Sequence, residues 1–137
     1  MSAAAPDTPA SAYFTARQWA IIVLFGVTVW FLGAVLLRAV EPLGVYQAPG
    51  IFILYAAMIP GTWPVIWLGR MLARARREQT ALVAASATGF AIACDANALV
   101  WWPALYGHNI AGAGAAILWG GAVAIGLGLW MGRQGQA

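Results

Sequence analysis

Few side chains in this sequence could do chemistry, and most of those lie inside or beside apolar runs. Asp95 stands in TALVAASATGFAIACDANALVWWP, residues 80–103, a stretch long enough to cross a bilayer. An acid at that depth costs roughly 2.5–3.5 kcal/mol on insertion scales, so it has to face protein or water. Two roles follow for it, a structural tie between helices or a site that takes up a proton or cation. Cys94 and Asn97 sit close by in sequence, but a helix turns by about 100° per residue. Asp95 and Asn97 therefore diverge, and no Cys-Asp-Asn cluster forms. The lone Cys94 excludes an intrachain disulfide and any Cys-x-x-Cys chemistry. His108 is the only histidine. A zinc site needs three or four protein ligands, and a haem would still lack its second axial bond, so His108 reads as a solvated loop residue. No metal, cofactor or catalytic residue is expected. Phosphate loops, nucleotide-binding glycine fingerprints, nucleophile elbows and metal-ligand helices are all missing from the sequence.

The cations frame Asp95. Along a helix rising about 1.5 Å per residue, Asp95 lies about 25 Å from Glu78, and Arg38 about 31 Å from Arg17. The two reach similar heights, so an Arg38–Asp95 ion pair between the first and third spans is the sharp expectation. Its competitor is Glu41, three residues after Arg38 and at helical neighbour spacing. In a third reading Arg38 extends to the interface beside Glu41, while Asp95 bonds to a serine, a threonine or a backbone group.

The elements that hold these groups are apolar helices. The chain is 63% hydrophobic and 8% charged, whereas about a quarter of a globular protein is charged. The first span, residues 18–38, is uncharged up to Leu37; that run exceeds the 7–15 residues of a signal-peptide core and has no cleavage motif, so it reads as a retained helix. Further spans fall at 51–69, 80–103 and 110–132, the second with Pro60 and Pro64 predicting a kink. Residues 1–16 read as a disordered tail, 17–133 as the transmembrane domain and 134–137 as a short C-terminal tail. The fold expected is an all-α integral membrane protein, a compact bundle of four transmembrane helices.

All seven basic residues are arginines. With four spans, Arg17, Arg70, Arg74, Arg76, Arg77 and Arg133 share one side and Arg38 lies on the other. Cytoplasmic loops collect Arg and Lys, so both termini are expected in the cytoplasm. The cluster Arg70, Arg74, Arg76, Arg77 is read as a topology determinant that also meets anionic headgroups, and no nucleic-acid partner is implied.

In the last span Gly112, Ala116, Gly120, Ala124, Gly128 and Gly132 recur every four residues. Small residues at that spacing let helix backbones approach closely. The partner of that stripe is another span, a second copy or a different membrane protein, with an internal partner favoured. Trp19, Trp67 and Trp130 mark one interface and Trp101 and Trp102 the other, while Trp30, Trp63 and Trp119 are expected to pack deeper.

The segments FLGAVLLR, IP, GFAIACDANALVWWPALYG and AAILWGGAVAIGLGL resemble those of a bacterial family of small four-span inner-membrane proteins to which no activity is assigned. The resemblance covers nearly all of the chain beyond the tail. The matching positions are Gly33, Arg38, Gly89, Asp95, Trp102, Pro103 and Trp119, with Asp95 one residue further from its glycine and Gly121 replacing a usual tyrosine. It implies a bacterial cytoplasmic membrane and an Arg–Asp pair that matters. The expected function is non-catalytic: an accessory subunit of a membrane assembly or a self-associating component. The alternative is a small proton- or cation-coupled transporter or channel subunit using Asp95.

Overall fold

The computed structural model describes residues 13–134, all helix, turn and loop. Four long helices form, α1 (Ala16–Val40), α2 (Gly50–Leu72), α3 (Thr80–Trp101) and α4 (Ile110–Gln134), joined by 3₁₀ turns at Glu41–Leu43, Arg77–Gln79 and Pro103–Tyr106. Each long helix is long and apolar enough to cross a membrane. Leu24, Phe52, Ile53 and Val100 point outward with most of their surface exposed, where a water-soluble globule would bury side chains of that kind.

Local chemistry sets the ends. Thr15 caps α1: its hydroxyl accepts from the Gln18 N–H, and the Gln18 side chain accepts from the Thr15 N–H. This reciprocal box satisfies two N–H groups that a helix start would otherwise leave unpaired. The tail expected over 1–16 is corrected at its end, because Phe14 is buried and Thr15 is a cap. Residues 1–12 and 135–137 lie outside the described part. α2 ends with Arg74 at φ 50°, while Ala75 N–H donates to Arg70 O and Arg74 N–H to Met71 O. That pair of bonds usually closes on glycine, which alone tolerates the left-handed region cheaply. α2 runs unbroken through Pro60 and Pro64. α3 stops at Trp102 because Pro103 follows and disfavours helical geometry in the residue before it. Asn109 opens α4 by accepting the Gly112 N–H on its side chain.

α3 is the centre of the bundle, packed along both α1 and α4, with α2 laid mainly against α4. The small-residue stripe of α4 is turned inward. Gly112 lies over the Tyr46 ring, Gly120 over Met58, Gly128 against Ala84 and Gly132 beside Ala81, and Ala116 is fully buried. On α1, Gly26 rides on the backbone of Ala87. α1 and α2, adjacent in sequence, scarcely meet. Trp63, expected to pack, is half exposed, whereas Trp119 stacks on Tyr55 with ring centres 5.1 Å apart.

Candidate functional site

The break at Pro103 folds the following turn back under the end of α3, and this places Tyr106 inside the bundle. Tyr106 is fully buried, and its hydroxyl donates to Asp95 Oδ1 at 2.5 Å. The indole of Trp30 on α1 donates in turn to the Tyr106 oxygen at 3.0 Å. Three elements thus meet in one chain of hydrogen bonds, Trp30 to Tyr106 to Asp95. Small and apolar residues surround it: Ala34, Ala98, Leu105 and Ala113. Burial, and then the Asp95 hydrogen bond, push the Tyr106 hydroxyl far above its ordinary 10.0.

The expected Arg38–Asp95 ion pair is not formed among the described residues. Arg38 Nη1 donates instead to the backbone carbonyl of Ala104 at 3.0 Å, on the same folded turn that carries Tyr106. The reason is steric order: the turn after Pro103 lies between the end of α1 and Asp95, so each side chain meets the turn before it meets the other. Nor does Glu41 pair with Arg38. Its carboxylate accepts from His108 N–H at 2.9 Å and from Asn109 N–H at 2.6 Å, with His108 Nδ1 at 3.6 Å. An acid at a helix start complements the positive end of the α4 dipole. Arg38 and Glu41 therefore fasten the end of α1 to the α3–α4 connection, by two separate grips. The His108 imidazole itself is fully exposed. Tyr46 adds a third fastening by donating to Leu37 O, and burial raises its hydroxyl too, helped by the Glu41 charge.

Of the polar neighbours in sequence, Asn97 is turned away from Asp95, as the helical geometry requires. Asn97 donates to Ala93 O on its own helix, and Cys94 is half-buried. The arginines Arg74, Arg76 and Arg77 lie exposed at the opposite end of the bundle, and Arg70 is half-buried with its Nε enclosed and unbonded.

Where α1 and α2 fail to meet, a cleft of about 450 Å³ opens with α3 and α4 as its floor. Gly33 lies on one wall, Ala57 and Gly61 on the other, and Thr88, Gly121 and Asp95 along the base. A β-carbon added at Gly33 or Gly61 would touch nothing within 4 Å, so both walls border open space. The lining is apolar apart from a few hydroxyls and Asp95, which is its one charged group. Asp95 Oδ1 accepts from Tyr106, the Trp30 indole N–H also reaches the carboxylate, and no cation pairs with it among the described residues. The arrangement is an apolar volume with a single acidic anchor held from behind by Tyr106.

The sequence singled out Asp95 and missed Tyr106. The available signal was a phenol eleven residues after an acid that needs a donor, just past a proline that must reverse the chain. Compared with family models, curated proteins and solved structures, this chain matches none of them.

Proposed function

We propose that this protein is a non-catalytic integral membrane component, an accessory element of a larger assembly, that works by holding a hydrophobic molecule between α1 and α2. The observation that carries the reading is the cleft itself, bordered by glycines on both walls and anchored by Asp95. Self-association through the α4 stripe is the weaker form of the proposal, because α3, Tyr46 and Met58 already occupy that surface. In this reading the chain sits in a bacterial cytoplasmic membrane, as its likeness to the small four-span family implies, with both termini in the cytoplasm as the arginine bias favours. The test is purification in mild detergent of the native chain beside a Gly61→Trp variant that fills the cleft. Material that co-purifies with the native chain and is lost from the variant supports the proposal; the same material with both overturns it.

A second reading, a small proton- or cation-coupled carrier, is favoured by Asp95, an acid in the cleft with no cationic partner among the described residues. It calls for flux across liposomes that Asp95→Asn abolishes, and a leak identical in both proteins removes it.

A further inference from the structure

Asp95 is 8% exposed and lines the cleft, and its donors, Tyr106 and Trp30, are both neutral. The cation expected to pair with Asp95, Arg38, spends its guanidinium on the Ala104 carbonyl. Buried acids in apolar surroundings are ordinarily matched by a cation or water. Here the fold provides a donor on one side, Tyr106, and empty volume on the other. We infer that the cleft is a binding site for a lipophilic amine, with its ammonium head on the Asp95 carboxylate and its hydrocarbon body along the apolar groove between α1 and α2.

Size and charge select this occupant. The cleft volume of about 450 Å³ lies in the range of pockets for small molecules, about 300–1,000 Å³. A fatty acid would bring a second carboxylate against Asp95. A fatty alcohol would supply a hydrogen bond but no charge, and a charge-assisted bond is roughly twice as strong as a neutral one. Gly33 and Gly61 keep the two walls low, which lets a chain enter sideways from between the helices. The Trp30–Tyr106 relay fixes the carboxylate from behind, so the anchor is pre-positioned before any ligand arrives.

This inference rests on the cleft being the working surface, and the experiment separates the two ideas. Purified full-length protein in mild detergent is titrated with radiolabelled dodecylamine, and dodecanol and dodecanoic acid serve as competitors. Thermal unfolding confirms that each variant is folded; Asp95→Asn keeps an oxygen to accept from Tyr106. Saturable amine binding is expected, weakened at least about tenfold by Asp95→Asn, abolished by Gly33→Leu and poorly competed by the alcohol and acid. Equal competition by alcohol, with Asp95→Asn unchanged, overturns the ammonium site while leaving the cleft as the binding surface. Binding untouched by both Asp95→Asn and Gly33→Leu overturns the cleft reading as well.

Discussion

Tyr106 joins two helices through one oxygen atom, which both donates and accepts. Deleting that oxygen removes a donor from Asp95 and an acceptor from Trp30, each in a buried setting. Tyr106→Phe is therefore expected to cost about 1–3 kcal/mol, read as a lower unfolding midpoint in detergent. Combined with Trp30→Phe, the losses should be non-additive, since both changes sever the same chain of bonds. The pH response has a defined sign. Tyr106 and Tyr46 hold their protons more tightly in the folded protein than the ordinary 10.0. Groups raised in this way stabilise the fold fully below pH 10.0, and that contribution is lost as pH climbs through the folded values. Thermal stability should fall from pH 10.0 upward, with tyrosinate absorbance rising in step; the Tyr106→Phe protein should fall less steeply. At this scale the sequence was half legible. An acid in an apolar run is conspicuous because it is costly there. Its partner was hidden, because Tyr106 reaches it through a chain reversal that no helical periodicity encodes, and equal height along two helices says nothing of what lies between.

Among the helices, close approach is concentrated at single glycines that look alike in sequence. A β-carbon on Gly26 would come within 2.7 Å of the Ala87 carbonyl oxygen, which is backbone and cannot swing aside. Gly33, two turns further along α1, meets nothing within 4 Å. Gly26→Ala should thus push α1 off α3 and destabilise by about 1–3 kcal/mol, whereas Gly33→Ala should be neutral or stabilising by up to about 1 kcal/mol. Unfolding midpoints of the two variants test this; equal shifts would show that α1 does not ride on Ala87. A second element-scale expectation concerns the end of α2. Arg74 holds a left-handed backbone at φ 50° with both closing hydrogen bonds made. Glycine there removes a strain of about 1–2 kcal/mol, offset by its greater freedom when unfolded. Arg74→Gly should therefore raise the midpoint slightly, whereas almost any other change to an exposed arginine would leave it unmoved. The every-fourth-residue stripe of α4 was visible beforehand because small residues at a constant spacing line up on one face. Which partner it meets was not, since α3, a loop tyrosine and a methionine each cover part of it.

The number of long helices follows from the length of uncharged runs, and a linear sequence displays this directly. The order in which they pack does not follow. α1 lies against α3 and not against its sequence neighbour α2, and the cleft exists only because of that choice. Neither helix shows this alone, because their apolar letters run around the whole circumference. Orientation is encoded differently again, in charge at the loop ends. Six arginines stand on the side of the termini and one on the other; a bias of that size is expected to fix a single orientation. A reporter active only in the cytoplasm, fused after Ala137, should be active, and one active only outside should be silent. Replacing Arg74, Arg76 and Arg77 by Gln reduces the bias from six against one to three against one. The expected outcome is a mixed population, seen as partial activity of both reporters. These three side chains are exposed at the bundle end remote from Asp95, so the fold and the cleft should survive the change. Persisting cytoplasmic activity alone would mean that the hydrophobic lengths, not the arginines, decide how the chain inserts.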